Sequence, residues 1–422
     1  MSSDLKKRLL DAQDKDADIA LLRTAISKQS VTGNERNFVE FLSSAMAELN
    51  LAPCVADFSA ERPNVWSSKA AKSAGPNILF VGHTDTVHVR GWSENWKGTE
   101  REDPFAAPII DGEIWGRGAC DLKAGICAAL GAKRLLDDAG VELIGDVSFA
   151  FIGDEESGEE GTGVSAGAKD LVTRIKSGEI PKPDFVVYVE PTKLDVYTAQ
   201  IGFFIADIKV TGKSAYFGTP REGVDALKAT HKILSAVWQH GEDLEQGESH
   251  EFLGTSDILV TGINGGGYIA VPGECTLSLI RKLRPGENLD AAVASFEQAI
   301  GDVAVGEGIT TTISYPAGRD HTHGGSPVEI SPDHPAARDL ADCIKEVFGV
   351  RGVIGGAPYW SENPFFVNEI GCPAIYCAPG DISVAHTFEE RINVEEYLAA
   401  IRAFALFITR YCGIKKTKGG NE

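Results

Sequence analysis

The chain has 422 residues, is 43% hydrophobic and 24% charged, and carries a formal net charge of −21. That length exceeds one ordinary core and predicts two domains. The acidic balance excludes nucleic acid and anionic membrane surfaces as partners, and no apolar run reaches the length of a membrane-spanning helix.

In chain order, the polar N-terminus MSSDLKKRLLDAQDKDAD lacks the apolar stretch of a secretory signal. Residues 5–27 predict one amphipathic helix. A second is predicted from about Thr32, where Thr32 and Glu35 have capping-box spacing and Phe38, Leu42, Ala45 and Leu49 share a face. Apolar strands then alternate with helices. NILFVG (77–82), DVSFAFIG (146–153), DFVVYV (184–189) and PAIYC (373–377) predict strands buried on both faces, as in an α/β sheet. Helices are predicted over 123–139, 333–348 and 393–411, the second ending at Gly349 as a C-cap.

Between 203 and 315 the rhythm changes to strand, helix, strand, strand, helix, strand. This split βαβ order predicts a smaller ferredoxin-like (βαββαβ) domain inserted into the larger α/β domain. The expected organisation is 1–202 and 316–422 for the larger domain and 203–315 for the insert. The tail KKTKGGNE predicts a frayed end. The cysteines, Cys54, Cys120, Cys127, Cys275, Cys343, Cys372, Cys377 and Cys412, form no CxxC pair, and several sit in apolar runs. That usage points to a reduced, cytoplasmic compartment.

The residues just past each predicted strand carry chemistry. NILFVG runs into His83-Thr84-Asp85, DVSFAFIG into Asp154-Glu155-Glu156, DFVVYV into Glu190-Pro191-Thr192, and PAIYC leads on to His386. Ligands of open α/β sheets bind beyond the carboxyl ends of the strands, so these residues are expected on one rim. GRGACDLKAG (116–125) adds Asp121 just before a helix. Imidazole and carboxylate together suit zinc, manganese or cobalt. A carboxylate with two oxygens can bridge two ions. Glu155 and Glu156 are neighbours whose side chains point differently, so one can bind metal while the other faces water.

The segments GHTDTV, GRGACDLKAG, GDEESG, VEPT and AHTFEERI, in this order, resemble the M20 metallopeptidase family, which includes carboxypeptidase G2, acetylornithine deacetylase, succinyl-diaminopimelate desuccinylase and the aminoacylases. The resemblance covers nearly the whole chain. It implies a metallopeptidase-like mixed-sheet catalytic domain with a lid or dimerisation insert, and a homodimer. It implies one or two divalent ions, with His83 and Glu190 at one, Glu156 and His386 at the other, and Asp121 bridging. Asp85 would hydrogen-bond His83 and orient it. Glu155 would take a proton from metal-bound water and deliver it to the leaving nitrogen. The implied activity is hydrolysis of a C–N bond in a small carboxylate-bearing substrate, such as an N-acyl amino acid.

The sequence also departs from the family pattern. The lid's usual GKSAH histidine is Tyr216 here, in GKSAY; it can still donate a hydrogen bond to an oxyanion. The lid's usual Asn before Pro is Ile269, in GGGYIAVPGE. Where a DxRxxP-like segment is usual, LIRKLRPGE offers Arg281 or Arg284 as the anchor for a substrate carboxylate. GRDHTHGGSP (318–327) brings Arg319, His321 and His323, and YWSENPFF (359–366) brings Trp360; His323 and Trp360 join Arg284 as candidate substrate contacts. With Tyr216 and Tyr268, they keep open a second activity: hydrolytic deamination of an aromatic amine, as in the family's 5-nitroanthranilate aminohydrolase branch. A non-catalytic binding homologue is the third reading, and the intact Glu155 and ligand set oppose it.

Overall fold

The computed structural model describes residues 3–68, 75–157 and 161–415. The chain divides into two compact units. The first comprises Met1–Thr198, Ile330–Gly355 and Phe365–Glu422; the second comprises Ala199–Glu329 and Gly356–Pro364. The boundaries expected from sequence are 202/203 and 315/316. The later exit has a cause in pairing: Gly324 and Gly325 bond to Phe204 and Phe203, which keeps residues 316–329 with the second unit.

The first unit is a mixed sheet covered by helices. Its strands lie side by side in the order Pro53–Ser59, Arg62–Ser67, Asp146–Ile152, Asn77–His83, Phe185–Tyr188, Ala374–Tyr376. Asn77–His83 runs parallel to both of its neighbours, and Ala374–Tyr376 runs parallel to Phe185–Tyr188. Every residue of Asn77–His83 and of Phe185–Tyr188 is buried, which is why these segments read as continuous apolar runs instead of alternating ones. Phe80 shows how the layers join. Its ring lies 5.8 Å from Phe149 on the next strand and 5.4 Å from Phe404 on the helix Val394–Cys412.

Parallel register aligns the strand ends. His83 pairs with Ile152, and Tyr188 with both Val81 and Tyr376. The chain therefore leaves these strands along one edge of the sheet. The helix Ala124–Asp138 crosses close to that edge. A Cβ on Gly125 would collide with the Val189 carbonyl oxygen, so only glycine allows this approach.

Two local expectations are corrected. The single helix over 5–27 is two, Ser3–Ala12 and Lys15–Ser27. Asp14 breaks it by capping the second helix, its carboxylate accepting the Ala17 N–H at 3.0 Å. The helix expected from Thr32 starts at Arg36. Thr32 and Glu35 form no capping box, because Thr32 Oγ1 donates to Asp85 at 3.1 Å and Glu35 is paired with Arg62 at 2.5 Å. The tail beyond Lys415 lies outside the described residues.

The second unit has the split βαβ order. Its antiparallel sheet runs Asp257–Gly265, Glu274–Leu283, Gly202–Thr211, Thr310–Ser314. Burial alternates along the two middle strands, so Phe204, Ala206, Ile208 and Val210 point the same way as Cys275, Leu277 and Leu279. The helices Ala226–Glu245 and Leu289–Gly301 cover that face with Ile233, Val237, Val293 and Phe296. Asp225 and Asn288 cap them, each accepting a first-turn N–H.

Candidate metal centre

The aligned strand ends of the first unit gather the expected side chains. His83, the last residue of its strand, is 1% exposed. Its Nε2 lies 3.0 Å from Asp121 Oδ1 and 3.7 Å from Glu190 Oε1. His386 Nε2 lies 2.9 Å from Glu156 Oε1 and 3.2 Å from Asp121 Oδ2. Each oxygen of Asp121 thus faces a different histidine. Ligand atoms of His83, Asp121 and Glu190 fall within 4.8 Å of one another, and so do those of Asp121, Glu156 and His386. The shared member of the two sets is Asp121. Two imidazole nitrogens and three carboxylates are a donor set that fits divalent transition metals.

The electrostatics agree with a site built for cations. Burial would lower the pKa of His83, yet the carboxylates of Glu190, Asp121 and Glu155 raise it well above its ordinary value. Burial opposes His386 likewise, and its contacts with Asp121 and Glu156 raise it to about 11. For Asp121, burial works upward, but the two histidines hold it well below the usual carboxylate range.

The backbone around these ligands is held by residues to which the sequence assigns another role or none. His83 Nδ1 donates to the Asp85 backbone oxygen at 2.9 Å, while the Asp85 carboxylate stands 3.7 Å away. That bond still fixes the ring and leaves Nε2 toward Asp121. The Asp85 carboxylate accepts the N–H groups of Glu155 and Glu156 at 3.3 and 2.9 Å, and the Thr32 hydroxyl. Burial pushes it up to about 7, against the pull of His83.

Asp154 has a left-handed backbone, φ 74°, and its carboxylate accepts N–H groups from Gly163, Val164 and Ala166. Arg62 bridges Asp154 and Glu35 at 2.8 and 2.5 Å. Both contacts fix the turn from which Glu155 and Glu156 project. Glu155 is partly exposed and Glu156 is buried, and ligand atoms of both lie within 4.8 Å of one of His83. Glu390 does the same service for Asp121. It is 1% exposed, accepts the N–H groups of Cys120 and Asp121 at 3.1 and 3.0 Å, and is paired with the buried Arg117. Glu390 lies in the AHTFEERI segment, but nothing in that segment tells what a residue so far along the chain would hold.

The remaining expected residues belong to the second unit. Tyr216 is 59% exposed and packs against Phe217. Arg284 is paired with Glu248 and donates to the Pro285 carbonyl at 3.0 Å. Trp360 donates to the Ser326 carbonyl at 3.2 Å and packs edge-on against Phe203. His323 lies against Tyr315 and His321. Arg281 is 2% exposed and pairs with Glu287 at 2.9 Å.

The sequence matches the profile of Peptidase family M20/M25/M40 over residues 79–410. It is 28% identical over 417 residues to a succinyl-diaminopimelate desuccinylase of Gluconacetobacter diazotrophicus, covering 94% of this chain and 97% of that one. It is 25% identical to an acetylornithine deacetylase of Myxococcus xanthus, over 85% and 86% of the two chains. The fold is similar to that of an M20 family metallo-carboxypeptidase from Sulfolobus solfataricus, with TM-score 0.72 and 17% identity over 93% of this chain and 99% of that one. The chain belongs to peptidase family M20/M25/M40.

Proposed function

We propose that the protein hydrolyses the amide bond of a small N-acyl amino acid, using one or two divalent ions (zinc, manganese or cobalt) held by His83, Asp121, Glu156, Glu190 and His386. The placement of Asp121 between the two histidines carries this reading. When bound, the ions lower the pKa of water and polarise the substrate carbonyl. Glu155 then acts at its carboxylate oxygens. It accepts the proton from the attacking water and passes it to the nitrogen, so that a carboxylic acid and an amine leave. Asp85 keeps Glu155 and Glu156 in position through their N–H groups, and Glu390 does so for Asp121.

The substrate class is supported by the relatives named for removing succinyl and acetyl groups from amino-acid nitrogens. The same names give no support to deamination of an aromatic amine. Arg284 is the proposed contact for the substrate carboxylate. Its present partner Glu248 is 83% exposed in its side chain, and an exposed pair of this kind is exchanged at little cost. Tyr216 is the proposed hydrogen-bond donor in the place of the lid histidine, and Trp360 a proposed wall of the substrate site. A homodimer formed through the second unit is part of the reading. The strand Asp257–Gly265 ends that unit's sheet and leaves Leu259 and Ile263 exposed. Placement in the cytoplasm is supported by eight free cysteines.

The test is a panel assay of metal-loaded enzyme on N-succinyl and N-acetyl amino acids, dipeptides and amino-substituted aromatic acids, with amino acid and ammonia measured separately. Chelator-sensitive release of amino acid is expected. Ammonia from an aromatic amine without amide turnover would overturn the reading.

A further inference from the structure

A second cluster of metal-ligating side chains, Asp290, His321 and His323, lies wholly inside the second unit and shares no residue with the centre described above. Asp290 stands in the first turn of the helix Leu289–Gly301, a start fixed by the Asn288 cap. The two histidines come from the return hairpin. There His321 bridges Gly324, and the Arg319 N–H donates to the carbonyls of both. Gly324 presses the hairpin onto the sheet, where a Cβ would collide with the Phe203 oxygen. The imidazoles are thereby set with ring centres 5.3 Å apart, and His323 is further packed against Tyr315 at 4.6 Å.

His321 Nε2 lies 3.1 Å from Asp290 Oδ1. An ion pair would account for that distance, but Asp290 is 73% exposed in its side chain, where such a pair contributes little. An ion pair also leaves His323 unexplained. Its Nδ1 is buried and has no hydrogen-bond partner among the described residues. A buried polar nitrogen left in that state is costly and calls for a ligand. One ligand atom from each of the three residues lies within 4.8 Å of the others.

We propose that Asp290, His321 and His323 bind a transition-metal ion, with zinc the best fit and water completing the tetrahedron. Imidazole nitrogens exclude magnesium and calcium, which take oxygen ligands. Around zinc, with bonds of about 2.0–2.2 Å, ligand atoms stand about 3.4 Å apart. Rotation of the exposed Asp290 side chain and of the imidazoles closes the difference. His321 Nδ1 accepts the His323 N–H at 3.3 Å. That long contact gives way when Nε2 takes the metal and Nδ1 carries the ring proton. The ion would tie the start of the helix to the return hairpin, and it gives His323 a role other than the substrate contact read from the sequence.

The test is zinc content per chain, measured by mass spectrometry after equilibration with zinc alone and removal of free metal. It compares the wild type with the double variant H321A/H323A and with D290N. The double variant is expected to hold one zinc fewer than the wild type. A variant lacking the other centre, H83A/H386A, is expected to retain that ion and, with cobalt, to show the visible absorption of a tetrahedral site. If the double variant fails to fold, D290N decides, because Asp290 is exposed: its zinc-induced rise in Tm is expected to be smaller than the wild type's. Equal zinc content in wild type and H321A/H323A, or an equal rise in Tm for D290N, would overturn the proposal.

Discussion

Asp85 holds Glu156 by its backbone: Asp85 Oδ2 accepts the Glu156 N–H at 2.9 Å, so a residue on the exit of one strand positions a proposed metal ligand on the exit of the next. The same carboxylate takes the Glu155 N–H. Replacing it removes the acceptor for both without touching a ligand atom. Asp85→Ala is expected to lower metal affinity or turnover by roughly 10–100-fold, the usual scale for groups that orient ligands. Zinc affinity and kcat measured on the same variant check this; wild-type values for both would remove Asp85 from the positioning role.

Glu390 stabilises the opposite side of the centre. It is buried with Arg117 and takes the Asp121 N–H. Glu390→Ala leaves the guanidinium buried without its partner, which costs about 3–5 kcal/mol. Urea unfolding of the metal-free variant is the measurement. A loss well below that range would mean that Arg117 is satisfied elsewhere.

Asp121 belongs to both donor sets, so its loss should weaken the whole centre. Metal that binds only the folded chain stabilises it by about 2.7 kcal/mol at 100 times its Kd. Chelation is therefore expected to lower the wild-type Tm and abolish turnover, with both restored by zinc, cobalt or manganese. In Asp121→Asn the Tm response to chelator should shrink. An undiminished response would place the ions elsewhere.

Asp18 gives a pH dependence remote from the metal. It is 2% exposed, and burial raises its pKa against the opposing pull of Arg134. A raised folded-state pKa means that the folded chain keeps this proton longer than the unfolded chain. The stability contributed is full below about pH 3.9, the ordinary aspartate value, and is lost as pH rises through the folded value. Relative to Asp18→Asn, the wild type should therefore lose unfolding free energy as pH rises from about 4. Urea titrations of both proteins at several pH values read the difference, and a pH-independent gap would contradict it.

The strands that lead into the proposed metal ligands are legible in the sequence because burial on both faces turns them into unbroken apolar runs. Asn77–His83 differs from the expected 77–82 by one residue. The βαββαβ insert is legible for a related reason, since its middle strands and capped helices follow regular periods. What the sequence hides is long-range. Glu390 reaches the backbone of Asp121 across 269 positions, and Arg62 reaches Glu35 and Asp154 from a different strand. No local pattern encodes such contacts. Short-range competition misleads as well. Asp14 could sit in a helix by period, but its carboxylate captures an N–H and starts a new one. Thr32 and Glu35 have capping spacing, yet each finds a stronger partner elsewhere.

The most direct test of the hydrolytic mechanism is kcat for Glu155→Gln on an N-acyl amino acid that the wild type cleaves, with metal content determined on the same sample. Glutamine keeps the shape but cannot take up the proton. Metal content equal to the wild type with turnover lowered by roughly 10²–10⁴-fold is the expected result. Turnover within a few-fold of the wild type at full metal content would contradict the assignment of Glu155 as the proton-transferring group.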